Sequence, residues 1–224
     1  GPVNAAAYDA RSTMVVTADA DGTARLFSTA SGAPIAVLRH DRPVTDAEFS
    51  PDGKPVATAS RDRTVRLWDR KGDPIRTLRH ERAVLDLEFA PNPAEPTLVT
   101  TTGAGTVHIW RLNDRSHTVL ETPGPEHVAI SNDGRFVAVF GVDRVARVYS
   151  LPSGTQIFDL PHESRVLSAA FGPRKELLAT GSANKTARTW ELRRGRPIHA
   201  FTGQFGRVVD VAISPQGQFL GTAS

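Results

Sequence analysis

The chain's 224 residues carry 27 Lys and Arg against 24 Asp and Glu, a formal charge of +3. Cysteine is absent, which excludes disulfides, thiol catalysis and cysteine metal sites; it suits a reducing compartment, and the cytoplasm is the expected location. No apolar run approaches the roughly 18–20 residues of a membrane helix, so no membrane partner is expected. The cations are 23 Arg and four Lys. That excess reads as a GC-rich genome rather than a nucleic-acid surface, because the densest basic run, Arg193-Arg194-Gly195-Arg196, is short.

In chain order, short apolar stretches alternate with turn chemistry. The first unit runs from Pro2 through the turn Ala20-Asp21-Gly22 to a strand ending at Phe27. In the second, Val44–Phe49, Val56–Ser60, Thr64–Trp68 and Pro74–Leu78 read as strands, separated by Ser50-Pro51-Asp52-Gly53, Arg61-Asp62-Arg63 and Asp69–Asp73. The third has the proline-stiffened turn Pro91–Pro96, the fourth Ser131-Asn132-Asp133-Gly134, and the fifth Gly172-Pro173-Arg174-Lys175. A sixth begins near Arg207 and passes Ser214-Pro215-Gln216-Gly217.

The positions Tyr8, Phe49, Phe89, Ile130, Phe171 and Ile213 recur at spacings of 41, 40, 41, 41 and 42, and Phe27, Trp68, Trp110, Tyr149 and Trp190 at 41, 42, 39 and 41. Two registers at one period mean a repeat architecture. The expectation is an all-β chain of about five complete four-stranded units plus half of a sixth, at 1–38, 39–78, 79–120, 121–160, 161–201 and 202–224.

The second unit ends in Trp68-Asp69, with variants Trp110-Arg111 and Trp190-Glu191, and units open at Arg39-His40, Arg79-His80 and Pro161-His162. These residues resemble the WD40 repeat family, whose opening pair is Gly-His and whose closing pair is Trp-Asp. The resemblance implies a β-propeller of four-stranded blades, here a partial propeller from a larger bacterial protein that needs further blades or a second chain to close its ring. It also implies buried tetrads of His, Ser/Thr, Asp and Trp: His40, Ser60, Asp62 and Trp68 in full; His80, Thr102 and Trp110 with Ala104 in place of the acid; His162, Ser182 and Trp190 with Asn184 there. Unit four keeps Asp143, with Tyr149 for Trp, and unit one keeps Asp21, with Phe27.

A Ser, a His and an Asp in one unit invite a hydrolase triad. Near-copies in units three and five favour a structural role, since a triad is needed once. No catalytic residue, metal or cofactor is expected: the other histidines, His108, His117, His127 and His199, lack metal-ligand spacing, and no phosphate loop or nucleophile elbow is present. Asp46, Asp86 and Asp210 recur on first strands, as a ring for a cation or as partners for backbone groups. Arg42, Arg82, Arg165 and Arg207 recur just before first strands. In the family layout their loops open on the same narrow face as Arg61, Arg63, Arg144 and Lys185. This face is the candidate site for an acidic peptide or protein, unless Asp41, Glu81 and Glu163 neutralise it locally. The expected function is a non-enzymatic scaffold or sensor module, as in signalling chains. The alternatives are a propeller enzyme or a nucleic-acid-binding propeller that uses the arginine face.

Overall fold

The computed structural model describes residues 1–92, 95–173 and 177–224. It contains strands joined by tight turns, in sheets that follow the sequence order. The first sheet runs β1 (Val3–Tyr8), β2 (Met14–Asp19), β3 (Thr23–Ser28), β4 (Pro34–Arg39), and the second β5 (Val44–Phe49), β6 (Val56–Ser60), β7 (Thr64–Trp68), β8 (Pro74–Arg79). The third is β9 (Val84–Phe89), β10 (Thr97–Thr102), β11 (Thr106–Arg111), β12 (His117–Glu121). The fourth is β13 (Pro125–Ile130), β14 (Phe136–Gly141), β15 (Val145–Ser150), β16 (Gln156–Pro161). The fifth is β17 (Val166–Phe171), β18 (Leu177–Ser182), β19 (Ala187–Glu191), β20 (Arg196–Phe201), and a two-stranded sheet follows, β21 (Asp210–Ile213) and β22 (Leu220–Ala223). The turns expected at Pro91–Pro96 and Gly172–Lys175 fall partly outside the described residues. No helix among the described residues is long and apolar enough to cross a membrane.

Contacts divide the chain into two compact units, 1–117 and 118–224. In each, the core lies between the faces of successive sheets. In the first unit, Val16, Leu26 and Leu38 of one sheet pack with Val44, Val56 and Trp68 of the next. Val65, Leu67 and Leu78 then pack with Val84, Leu98 and Trp110. In the second unit, Val148 and Leu160 pack with Val166, Leu178 and Trp190. Middle strands are buried on both faces, as in the run Val56–Ser60, and so read as near-continuous apolar or small residues rather than as an alternation.

The first strand of each complete sheet carries a register shift at one place: past Asn4, Thr45, Leu85, Glu126 and Leu167. Such bulges turn a side chain out of the pleat, and here several reach the following sheet. Asn4 Nδ2 donates to the Val44 carbonyl at 2.7 Å and Thr45 Oγ1 to the Val84 carbonyl at 3.0 Å. Just beyond the bulge, Asp46 and Glu48 accept the backbone N–H groups of Leu87 and Phe89 at 3.2 and 2.7 Å. In the second unit Ser168 Oγ accepts that of Val211 at 3.2 Å.

Candidate functional site

Two kinds of polar cluster are candidates: buried networks inside sheets, and cations along one sheet edge. In the second sheet, the turn after β6 is held by Asp62, which accepts the Thr64 N–H at 2.9 Å and its hydroxyl at 2.6 Å. The other Asp62 oxygen faces His40 Nδ1 at 2.9 Å. That carboxylate assigns the proton to Nδ1, so Nε2 accepts from Thr58 Oγ1 at 2.7 Å, and Thr58 Oγ1 in turn accepts the Trp68 Nε1–H at 2.8 Å. Burial holds His40 below its usual pKa, with Asp62 offsetting part of the effect. Burial would by itself raise Asp62, but hydrogen bonds from Thr64 and His40 outweigh it and hold the carboxyl below the usual range.

The hydroxyl in this network is therefore Thr58, not Ser60. In the third and fifth sheets it is Thr100 and Thr180, not Thr102 and Ser182. His80 Nε2 meets Thr100 at 2.9 Å and His162 Nε2 meets Thr180 at 2.8 Å, and Trp110 and Trp190 donate to the same hydroxyls at 3.3 and 2.9 Å. Residues two apart on a strand share a face, so residue type alone did not separate the candidates; reach does. Ser60 Oγ lies at the strand end, 3.0 Å from the carbonyls of both Arg42 and Pro43, and accepts the Asp62 N–H at 3.0 Å. Ser182 likewise holds the Arg165 carbonyl at 3.0 Å, and Thr102 pairs with Thr106 at 2.6 Å. The signal in the sequence was a Thr ten residues before each Trp, masked by the hydroxyl eight before.

Without an acid at Ala104, Nδ1 of His80 lacks a well-formed hydrogen bond, although the nearby Leu78 carbonyl favours its protonation slightly. His108 fills the space, its ring 4.6 Å from that of His80, and the Trp110 indole stacks on His117 at 4.3 Å. Burial, with His108 adding, pushes His80 down to about 3; burial, with His117 adding, pushes His108 down to about 4. In the fifth sheet Asn184 accepts the Thr186 hydroxyl and turns its amide to Glu163 at 3.3 Å, leaving His162 Nδ1 to donate to the Leu160 carbonyl at 2.9 Å. Asn184 thus stands outside the network assigned to it, because its amide is committed to the turn and to Glu163.

The acids on first strands serve backbone groups. Asp46 also faces Asp86: burial first, then Asp86, pushes its carboxyl well above the usual range, although the residue as a whole is only half-buried. Burial pushes Glu48 up to about 7. Asp210 accepts from Ser168 Oγ at 3.0 Å. Among the described residues no cluster of His, Asp and Glu has metal-binding geometry.

The second site follows from strand pairing. Val44 pairs with Ser60 and Thr64 with Arg79, so the connections before β5 and β9 and the turn after β6 lie on one edge of the first unit. That edge presents Arg42, Arg61, Arg63 and Arg82, all exposed. The second unit's corresponding edge presents Arg144, Arg165, Lys185 and Arg207, also exposed. Of the neighbouring acids, Asp41 is directed to Arg66 at 3.8 Å and Glu163 to Arg188 at 2.9 Å, while Glu81 forms no ion pair among the described residues. Arg165 is bound by Glu126 at 2.7 Å. The other seven cations form no ion pair among the described residues. Arg66, Arg147 and Arg188, on third strands, are instead absorbed by Asp62, Asp143 and Glu163. Arg63 and Lys185 have φ of 71° and 67° at a turn position that Gly22 and Gly105 fill at 86° and 85°.

Several curated proteins are similar to this chain. The chain is 26% identical over 215 residues to pre-mRNA-processing factor 19 homolog 2 of Arabidopsis thaliana, covering 94% of the chain and 34% of that protein. It is 22% identical over 232 residues to serine-threonine kinase receptor-associated protein of Gallus gallus, covering all of the chain and 64% of the relative. Apoptotic protease-activating factor 1 of Rattus norvegicus is 26% identical over 218 residues, with 89% of the chain and 16% of the relative covered. The chain thus spans between about a sixth and two thirds of these relatives' lengths. The family model "WD domain, G-beta repeat" (WD40) matches residues 1–28, 32–69 and 154–191. These stretches are WD40 repeats, and the five sheets on one four-stranded antiparallel plan are consistent with WD40 propeller blades.

Proposed function

We propose that this chain is a non-enzymatic interaction module whose cation-bearing sheet edge captures an acidic segment of a partner protein. The observation that carries the reading is the set of exposed cations without acid partners, Arg42, Arg61, Arg63 and Arg82 in the first unit and Arg144, Lys185 and Arg207 in the second. Arginine engages carboxylates through a planar fork and is favoured at interfaces, and loops on a rigid scaffold are common binding elements. The hydroxyls that resemble a nucleophile are consumed internally: Thr58 lies between an imidazole and an indole, Ser60 between two carbonyls. One relative is named as a receptor-associated protein, in keeping with a role in association.

The test is fluorescence anisotropy with a labelled oligo-glutamate peptide. Arg42→Glu combined with Arg82→Glu should weaken capture at least about tenfold, and binding should weaken as salt shortens the screening length from about 10 Å at 0.1 M. Unchanged capture by the double variant ends this reading. Preference for duplex DNA over the peptide, with a steep salt slope, would replace it with a nucleic-acid role.

A further inference from the structure

On the opposite edge of the first unit lies a groove of about 480 Å³ between the second and third sheets, and we propose that it binds a small apolar carboxylic acid whose head is held by Arg76 and Arg115. The groove coincides with one departure between repeats. The turn between third and fourth strands has glycine at a left-handed position in four sheets: Gly32, Gly72, Gly154 and Gly195, with φ from 62° to 91°. In two of them the glycine lets the turn close on the preceding sheet. A Cβ at Gly72 would stand 2.5 Å from the Ala36 Cβ, and one at Gly195 would stand 2.5 Å from the Phe158 ring. The third sheet has Arg115 there, at φ 61°. Its backbone holds the same conformation at a steric cost glycine avoids, and the seam against β8 remains open.

The lining divides by chemistry. Pro51, Pro55, Pro96 and the exposed Ile75 form an apolar wall over Leu67. Arg76 and Arg115 are the cations, and neither forms an ion pair among the described residues. Asp52 is also in the lining, but its carboxylate is occupied by the Ser50 hydroxyl at 2.6 Å and the Lys54 N–H at 3.1 Å, with Lys54 Nζ at 3.8 Å. The volume lies within the roughly 300–1,000 Å³ usual for small-ligand pockets, which combine apolar walls with a few polar groups. Two unpaired guanidiniums beside an apolar wall complement an anion with a hydrocarbon body.

Calorimetric titration of the whole chain with 4-phenylbutyrate and with 4-phenylbutanol tests this. The acid should bind and the alcohol should bind about 10- to 100-fold more weakly, the loss expected for charge-assisted hydrogen bonds. Arg115→Gly, which restores the residue of the other four sheets, should remove most of the acid's affinity while leaving the near-UV spectrum intact. Arg76→Gln should act in the same direction. The Arg42→Glu, Arg82→Glu chain should bind the acid normally, since those residues lie on the other edge, and failure of peptide capture would leave this site standing. Equal affinity for acid and alcohol, no binding of either, or full affinity in Arg115→Gly would overturn the proposal. Tighter binding of a peptide with an apolar free C-terminus than of phenylbutyrate would overturn it in favour of a chain end.

Discussion

The indole N–H of Trp68 donates to the hydroxyl of Thr58 at 2.8 Å, ten residues back and one strand over. That hydroxyl also faces His40 Nε2 at 2.7 Å, so one oxygen closes a network through the second sheet. Thr58→Val keeps the side chain's shape and strands two buried partners. It should cost about 2–3 kcal/mol, against about 1 kcal/mol for Ser60→Ala at the strand end. Urea denaturation gives both values, and a larger loss at Ser60 would reverse the assignment.

The third sheet should be acid-sensitive. His80 and His108 have folded pKa values of about 3 and 4 against an ordinary 6.5. Between those limits the unfolded chain binds more protons, so their contribution is complete above pH 6.5 and is lost as pH falls through 4 toward 3. His108→Gln should flatten that part of the stability profile, measured as the urea midpoint at pH 4, 5, 6 and 7. A profile unchanged by the substitution would show that His108 is not the sensor.

The first strands carry the opposite sign. Glu48, at about 7, and Asp46, raised by burial and by Asp86, bind protons more tightly in the folded chain. Their contribution is complete below the usual carboxyl range near 4; that of Glu48 is lost as pH rises through about 7, and that of Asp46 is lost above the usual carboxyl range. Asp46→Asn supplies a neutral partner for Asp86 and should raise the urea midpoint at pH 8 more than at pH 5. An equal effect at both pH values would refute the raised titration of Asp46.

Arg63 occupies a left-handed turn position that glycine fills in other sheets. Arg63→Gly should therefore stabilise the fold, by about 1 kcal/mol, while weakening capture of the oligo-glutamate peptide. Thermal unfolding and anisotropy on one protein sample read the two effects together. Stabilisation with no loss of capture would mean that the cation's presence there is unrelated to binding.

The repeat and its strands were legible because the aromatic registers at Phe49 and Trp68 mark buried apolar positions, and burial is what periodicity reports. The bulges at Asn4, Thr45 and Glu126 were not legible, since a one-residue slip leaves the surrounding residue types unchanged. Choosing Thr58 over Ser60 needed the register of the neighbouring strand. His80 was read as part of a tetrad, but the approach of His108 and His117 to it and to Trp110 was not legible, because that meeting depends on three separate strands or loops. Arg66 and Arg63 are alike in sequence, but one leans on Asp62 and the other stands in water, a difference of strand against turn.

Four of the ties between successive sheets in the first unit are one-sided. Asn4, Thr45, Asp46 and Glu48 supply side chains, whereas Val44, Val84, Leu87 and Phe89 answer with main-chain groups alone. Every residue has a carbonyl and every residue but proline an N–H, so these four ties place no demand on the receiving repeat's side chains. One copy can then be rewritten without a matching change in its neighbour. These ties are indifferent to spelling on one side, and they persist when a single copy acquires an Ala104 or an Arg115.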